Sequence, residues 1–178
     1  MFSEKSSVVP PTNPRIRILG YKDYVEETEE GLREILAKNE ILKFSTFRHG
    51  KEFPIETGRG GEDPLIVPIY VTINALAILR DVGTAITIGR AVFDLVKYLR
   101  KRREHRKIHQ FTINCSSTYF IALNFLKSQG VGISKPLYFR SFGWNCLTIA
   151  DDINRKNVIH VVIYTNEGEL ADYAVLSL

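Results

Sequence analysis

The sequence predicts an α/β or α+β protein, with two small strand-helix lobes around a long central apolar helix and a mostly antiparallel C-terminal sheet. Three observations carry this. Arg15-Ile16-Arg17-Ile18-Leu19 alternates polar and apolar residues, and Asp23 to Lys38 follows with apolar residues at helical spacing. Leu65 to Arg103 is strongly apolar and ends in cations. Beyond His109 come short β-branched and aromatic runs separated by turn residues.

Residues 1–14, rich in Ser, Pro and Thr, read as a flexible arm. The first strand is expected to end at Gly20. Asp23 is the expected N-cap of the first helix, and Glu26, Glu27, Glu29 and Glu30 crowd its positive end. Val25, Leu32, Ile35 and Leu36 share one face, and Asn39 suits the C-terminal cap. Ile41, Leu42, Phe44 and Phe47 mark a second strand, ended by His49-Gly50, and 50–64 is loop. A long helix is expected from about Val71, with a break near Gly83 or Gly89. Leu76, Leu79, Ile86, Phe93 and Val96 should be buried, by this chain or by an identical neighbour, because water does not tolerate so large an apolar face. Phe111 to Asn114 is a strand. Ser116 and Ser117 are the expected caps of a helix running to Lys127. Three or four strands follow: Leu137 to Phe142, Cys146 to Ala150, Val158 to Thr165 and Asp172 to Leu178. Asn166-Glu167-Gly168-Glu169 is the last hairpin turn. The expected organisation is an N-terminal strand-helix-strand plus long helix over 15–107 and a strand-helix-strand lobe over 108–178, or one continuous domain.

Of 178 residues, 44% are hydrophobic and 25% charged, which excludes wholesale disorder, collagen and heptad rods. Cys115 and Cys146 are too few for a disulfide framework or a four-cysteine zinc site. Met1 to Pro14 lacks the basic and apolar parts of a signal peptide. The expected setting is the reducing cytoplasm, with both thiols free.

The net charge of +4 is unevenly spread. Lys97, Arg100, Lys101, Arg102, Arg103, Arg106 and Lys107 stand within eleven positions that hold one acid, Glu104. The rest of the chain has 17 basic and 19 acidic residues, a net −2, so an electrostatic partner should meet that run. Cations on phosphates would give salt-sensitive affinity, but on a helix these seven project around most of the circumference. The plainer reading is a basic helix end facing the negative end of the dipole.

Other candidates are weaker. Cys115 ends a strand and precedes a helix, where a thiolate is stabilised, and His160 with Asp152 (beside Asp151) would complete a Cys-His-Asp set. No glycine elbow accompanies Cys115, and small buried thiols are common. His105 and His109, four apart, would share a helix face as a metal pair does, but no third ligand stands near. Gly58-Arg59-Gly60-Gly61 lacks the end of a phosphate-binding loop. Tyr138, Arg140 and Phe142 share one strand face and Leu137, Phe139 and Ser141 the other, with Trp144 at a turn. One of those faces must be core. Pro64 to Leu79, sixteen residues without charge, is too short to span a membrane, and Arg80-Asp81 follows it. No metal and no cofactor is expected.

The order strand (Arg15 to Leu19), helix with Leu32-Arg33-Glu34-Ile35-Leu36, second strand, Gly60-Gly61, long helix ending Tyr98-Leu99-Arg100-Lys101-Arg102-Arg103, and strand resembles the effector-associated constant-component domains of prokaryotic conflict systems. The resemblance is one of layout and covers about 15–114. It implies a non-catalytic module coupling effectors to partners, and no functional residue carries over. The expected function is a non-enzymatic protein–protein interaction or adaptor module in bacterial defence or signalling. Its expected partner is another protein or itself, as a homo-oligomer, and not a membrane surface. The alternatives are a nucleic-acid-binding protein using 97–107, with weak non-specific affinity, and a small cysteine-dependent enzyme using Cys115.

Overall fold

A computed structural model gives the fold and describes residues 12–56, 63–79, 81–134 and 136–178. Gly58 to Gly61 and Arg80 lie outside the described residues, as does most of the expected N-terminal arm. The chain is α+β, with three α-helices and two antiparallel sheets among the described residues. The first sheet has the order β2 (Phe44–Arg48), β4 (Leu65–Ile73), β1 (Arg15–Tyr21), β5 (Ile108–Ile113), with the short β3 (Phe53–Pro54) also beside β4. The second runs β6 (Pro136–Phe142), β7 (Asn145–Asp151), β8 (Val158–Thr165), β9 (Leu170–Ser177).

The largest departure from expectation is the segment from Leu65. It is not the start of the long helix but β4, a central strand that pairs with β1, β2 and β3. Its β-branched residues, Ile66, Val67, Ile69, Val71, Thr72 and Ile73, fit a pleated surface better than a helix. Pro68 is tolerated because its carbonyl accepts from His49 N beyond the end of β2, before β3 begins, so its missing N–H falls in a gap of the ladder.

The long helix is α2 (Val82–Glu104), capped by Asp81, whose side chain accepts from Thr84 N at 2.8 Å. It buries Ile86, Ile88, Val92, Leu95, Val96 and Leu99. Leu79 is half-buried against the core, but Leu76 (51%) and Phe93 (38%) are exposed, against expectation. Leu76 lies in the turn before α2, and Phe93 faces away from the Ile88–Val92–Leu95 stripe.

α1 (Val25–Ala37) buries Val25, Leu32 and Leu36. Asp23 does not cap it: a 3-10 turn over Lys22–Tyr24 leads in, and Tyr24 holds the cap position. α3 (Cys115–Ser128) is capped by Asn114 rather than by Ser116 or Ser117. Asn114 Oδ1 accepts from Ser117 N, Ser117 Oγ and Arg15 N, binding the helix start to β1. Residues 12–14 are held too: Pro14 O accepts from Ile73 N, Asn13 O from Asn114 Nδ2, and Thr12 Oγ1 meets Ser116 Oγ. The first strand does not stop at Gly20 but runs to Tyr21. β5, read from sequence as the start of the second lobe, pairs with β1 in the first sheet.

α3 is buried on nearly every side, from Ser116 through Leu123, because it lies between α2 and the second sheet. The α2–α3 contact is close at one point. A Cβ on Gly89 would run into the carbonyl of Phe120, a backbone atom that cannot rotate away. One core cluster then joins both sheets through the helices. Gly89→Val should lower the stability of the chain by about 1–3 kcal/mol or more, read as a fall in urea midpoint. An unchanged midpoint would show that α2 and α3 do not meet there.

Candidate functional site

Cys115, the first residue of α3, stands beside Cys146, which faces inward from β7. Thr118 stands with them, its hydroxyl donating to the Cys115 carbonyl. The nearness of Cys146, with burial adding to it, holds the Cys115 thiol well above its ordinary range. A general base would have to reach it, and His160 does not. His160 pairs with Ala150, four residues along β7 from Cys146, a distance of about 13 Å along the strand. The Cys115-His160-Asp152 set is therefore not assembled.

His160 and Asp152 do meet, as a buried pair. His160 Nε2 lies 3.1 Å from Asp152 Oδ2, and Nδ1 lies 2.8 Å from the Tyr173 hydroxyl. A neutral imidazole donating from Nε2 and accepting at Nδ1 satisfies both contacts. Asp152 Oδ1 also accepts from Asn154 N (3.0 Å) and Gly132 N (3.4 Å). Burial pushes the Asp152 carboxyl up, but the bonds from His160, Asn154 and Gly132 outweigh it and leave the group below the usual carboxylate range. The pair ties the β7–β8 turn to the end of α3 and to β9.

The basic run holds the molecule together from within. Arg102, with only 11% of its side chain exposed, pairs with Glu27 at 3.0 Å and donates to Thr28 Oγ1 at 2.8 Å. That bond and charge hold the Glu27 carboxyl below its ordinary range. Arg103 pairs with Glu167 at 3.1 Å, and Arg100 stands 3.8 Å from Glu169. Both acids belong to the β8–β9 hairpin, where Gly168 (φ +75°) lies so close to Val96 that a Cβ would collide with it. Lys97 lies over Phe93 and Lys107 over the Tyr24 ring, 3.8 Å from its centroid. Lys97, Lys101, Arg106 and Lys107 make no ion pair among the described residues. The helix ends at Glu104, and Arg106 turns the chain with φ +56°. His105 caps the helix while His109 is on β5, so the two do not share a helix face. Among the described residues no three His, Cys, Asp or Glu side chains gather as a metal site would need, and no helix is long and apolar enough to cross a membrane.

The second sheet is built inside out. β8 turns Val158, His160, Val162 and Tyr164 inward and Ile159, Val161 and Ile163 outward. β7 likewise buries Cys146, Thr148 and Ala150 and presents Leu147 and Ile149. Residues directly opposite on neighbouring strands share a face, so the register fixes what joins them. Arg140, Leu147, Ile163 and Asp172 form one row across all four strands, and Ile149, Val161 and Ala174 part of the next. Leu176 and Phe142 (both 47% exposed) extend this face, and the single tryptophan, Trp144 (79%), stands at its corner. Phe139, by contrast, packs inward on Tyr119, which settles the two faces of β6. The outward aliphatic side chains of β7 and β8 escaped sequence reading, because alternation of two apolar types looks like a strand buried on both sides.

No family model, curated protein or solved structure matches this chain.

The buried carboxylate sets a pH dependence. An unfolded chain takes up the Asp152 proton near pH 4, the folded one only at lower pH, so the stability from this group is whole above about pH 4 and lost as pH falls below it. Asp152→Asn should be less stable than the native chain at pH 7, and the gap between the two should narrow as pH falls below about 4. Urea midpoints that stay parallel across that range would show that these bonds carry no folding free energy.

Proposed function

We propose that this chain is a non-enzymatic interaction module that associates with a second copy of itself through the open face of the second sheet. The observation that carries the reading is the inverted burial of β8, with a histidine and a tyrosine inside and Ile159, Val161 and Ile163 outside. A sheet face this apolar is a docking surface in a chain that has folded its polar residues inward.

The occupant follows from charge. The row Arg140–Leu147–Ile163–Asp172 is aliphatic in the middle and oppositely charged at its ends. A twofold axis lying between two stacked sheets and parallel to the strands places β6 of each copy over β9 of the other. Arg140 then faces the partner's Asp172 at both rims, while Leu147 and Ile163 meet across the middle. A twofold across the strands would lay β6 over β6 and leave like charges along each rim. Among the described residues neither Arg140 nor Asp172 has an ion-pair partner within the chain.

The layout resemblance to conflict-system coupling domains supports a module of this class in bacterial defence or signalling, although β4 adds a strand to the layout that carried it. The two free cysteines favour the cytoplasm as its setting. A cysteine-dependent enzyme draws no support from thiols paired with each other.

Sedimentation of the full chain at about 100 μM should give twice the chain mass, the concentration lying well above the dissociation constant of a stable dimer. Val161→Glu should give a folded monomer. Arg140→Asp should weaken the dimer at least tenfold, and Arg140→Asp with Asp172→Arg should restore it, as expected of a rim charge pair. A native chain that stays monomeric at that concentration overturns the reading.

A further inference from the structure

We infer that the open face of the first sheet is a binding platform for single-stranded nucleic acid, a site independent of the association face. Its chemistry is the reverse of the second sheet's. β1 turns Ile16 and Ile18 into the core and Arg15 and Arg17 outward, and β4 and β5 follow the same register. The central row across the four strands is Phe47, Tyr70, Arg17 and Thr112. Thr72 and Arg15 stand in the row beside it, and His49 beyond the end of β2 closes the other side. No Asp or Glu occupies any position of these rows. The groove over them has a volume of about 620 Å3 and is lined by Arg15, Arg17, Phe47, Tyr70 and Thr72 among others.

Each part answers to a part of a nucleotide chain. Phe47 is 46% exposed and stacked on Tyr70, with centroids 5.5 Å apart and planes 15° from parallel. His49 packs edge-on to Tyr70 at 5.9 Å, bracing the pair. An exposed ring held flat by a second ring is a platform on which any base can stack. Arg15 and Arg17 lie two residues apart on one strand, about 6.6 Å, close enough to meet successive phosphates of an extended chain. Neither arginine makes an ion pair among the described residues, unlike Arg100, Arg102 and Arg103 of the basic run. Thr72 and Thr112 add hydroxyls that can bond to base edges or sugars. A flat sheet offers nothing that could enter a duplex groove, so the fit is to unpaired strands.

The site is tested with the full chain and fluorescently labelled eight-nucleotide oligo-U and oligo-dT, read by anisotropy across a salt series. Binding should be visible at low salt and fall as salt rises. Arg15→Gln with Arg17→Gln should flatten the log–log salt slope by about 1.4, two phosphate contacts at roughly 0.7 each. Phe47→Ala should weaken binding roughly 5- to 150-fold without changing the slope. Irradiation of the native complex with a photoreactive uridine should place the cross-link on Phe47 or Tyr70, a readout that needs no variant to fold. Equal affinity for poly-glutamate, tighter binding of duplex, or binding lost only when Lys97, Lys101 and Arg106 are replaced would each overturn the assignment.

Discussion

The passage of α2 over α3 at Gly89 is the constraint on which the other features rest. The helices approach until a side chain at that position would meet the Phe120 carbonyl. That closeness lets α3 be buried almost all round, by α2 on one side and the second sheet on the other. Each sheet thereby gains one covered face; the other stays open on the second sheet and, on the first, around Arg15, Arg17 and Tyr70, beyond which Leu19, Ile66 and Pro68 are buried as well. Had the helices stood farther apart, the outward faces of β7 and β8 would be no more exposed, but the single core joining the two sheets would be broken.

Charge finishes what the apolar packing starts. Three cations of the dense run are matched to acids elsewhere in the chain. Glu27 takes Arg102, and Glu167 and Glu169 take Arg103 and Arg100, so the end of α2 grips both the start of α1 and the last hairpin. Arg102 is the strongest of these contacts because it is almost buried and also bonds to Thr28. Exposed pairs of this kind contribute little singly, and their worth here lies in holding three elements in register. Cations committed in this way are poor candidates for phosphates, whereas Arg15 and Arg17 stand apart on the opposite side of the first sheet from the helices.

Much of this was legible in the sequence, and the failures have physical reasons. The four C-terminal strands, the turn at Asn166 to Glu169 and the apolar face of α1 follow directly from period and turn chemistry. β4 does not, because nine apolar and β-branched residues bounded by no charge fit a buried helix as well as a central strand, and Pro68 argues against a central strand unless a ladder gap is known. The inverted strand β8 hides for a related reason: Ile159, Val161 and Ile163 look like core beside Val158 and Val162, and only the burial of His160 and Tyr164 decides which side is inside. Cys115 looked activated by its place at a helix start. Its partner proved to be another thiol brought from β7, a contact that no local spacing encodes. Phe47, Tyr70 and Arg17 likewise come together only through the register of three strands.

In the proposed module the two open faces have separate roles. The second sheet presents aliphatic carbon with one charge at each rim, a chemistry that rewards another dry surface and discriminates orientation by sign. The first presents rings, hydroxyls and guanidinium groups, a chemistry that stays wet and rewards a flexible anionic chain. The helices lie between the sheets' inner faces, so a copy docked on the second sheet leaves the first sheet free. An oligonucleotide short enough to cover one platform cannot span to the other, and its affinity should not depend on the state of association. A longer strand engaging both platforms would gain from effective concentration, so the dimer would bind it more tightly than the monomer with no new contact. The two proposed activities would thus be coupled only through strand length, which follows from where the fold leaves each sheet uncovered.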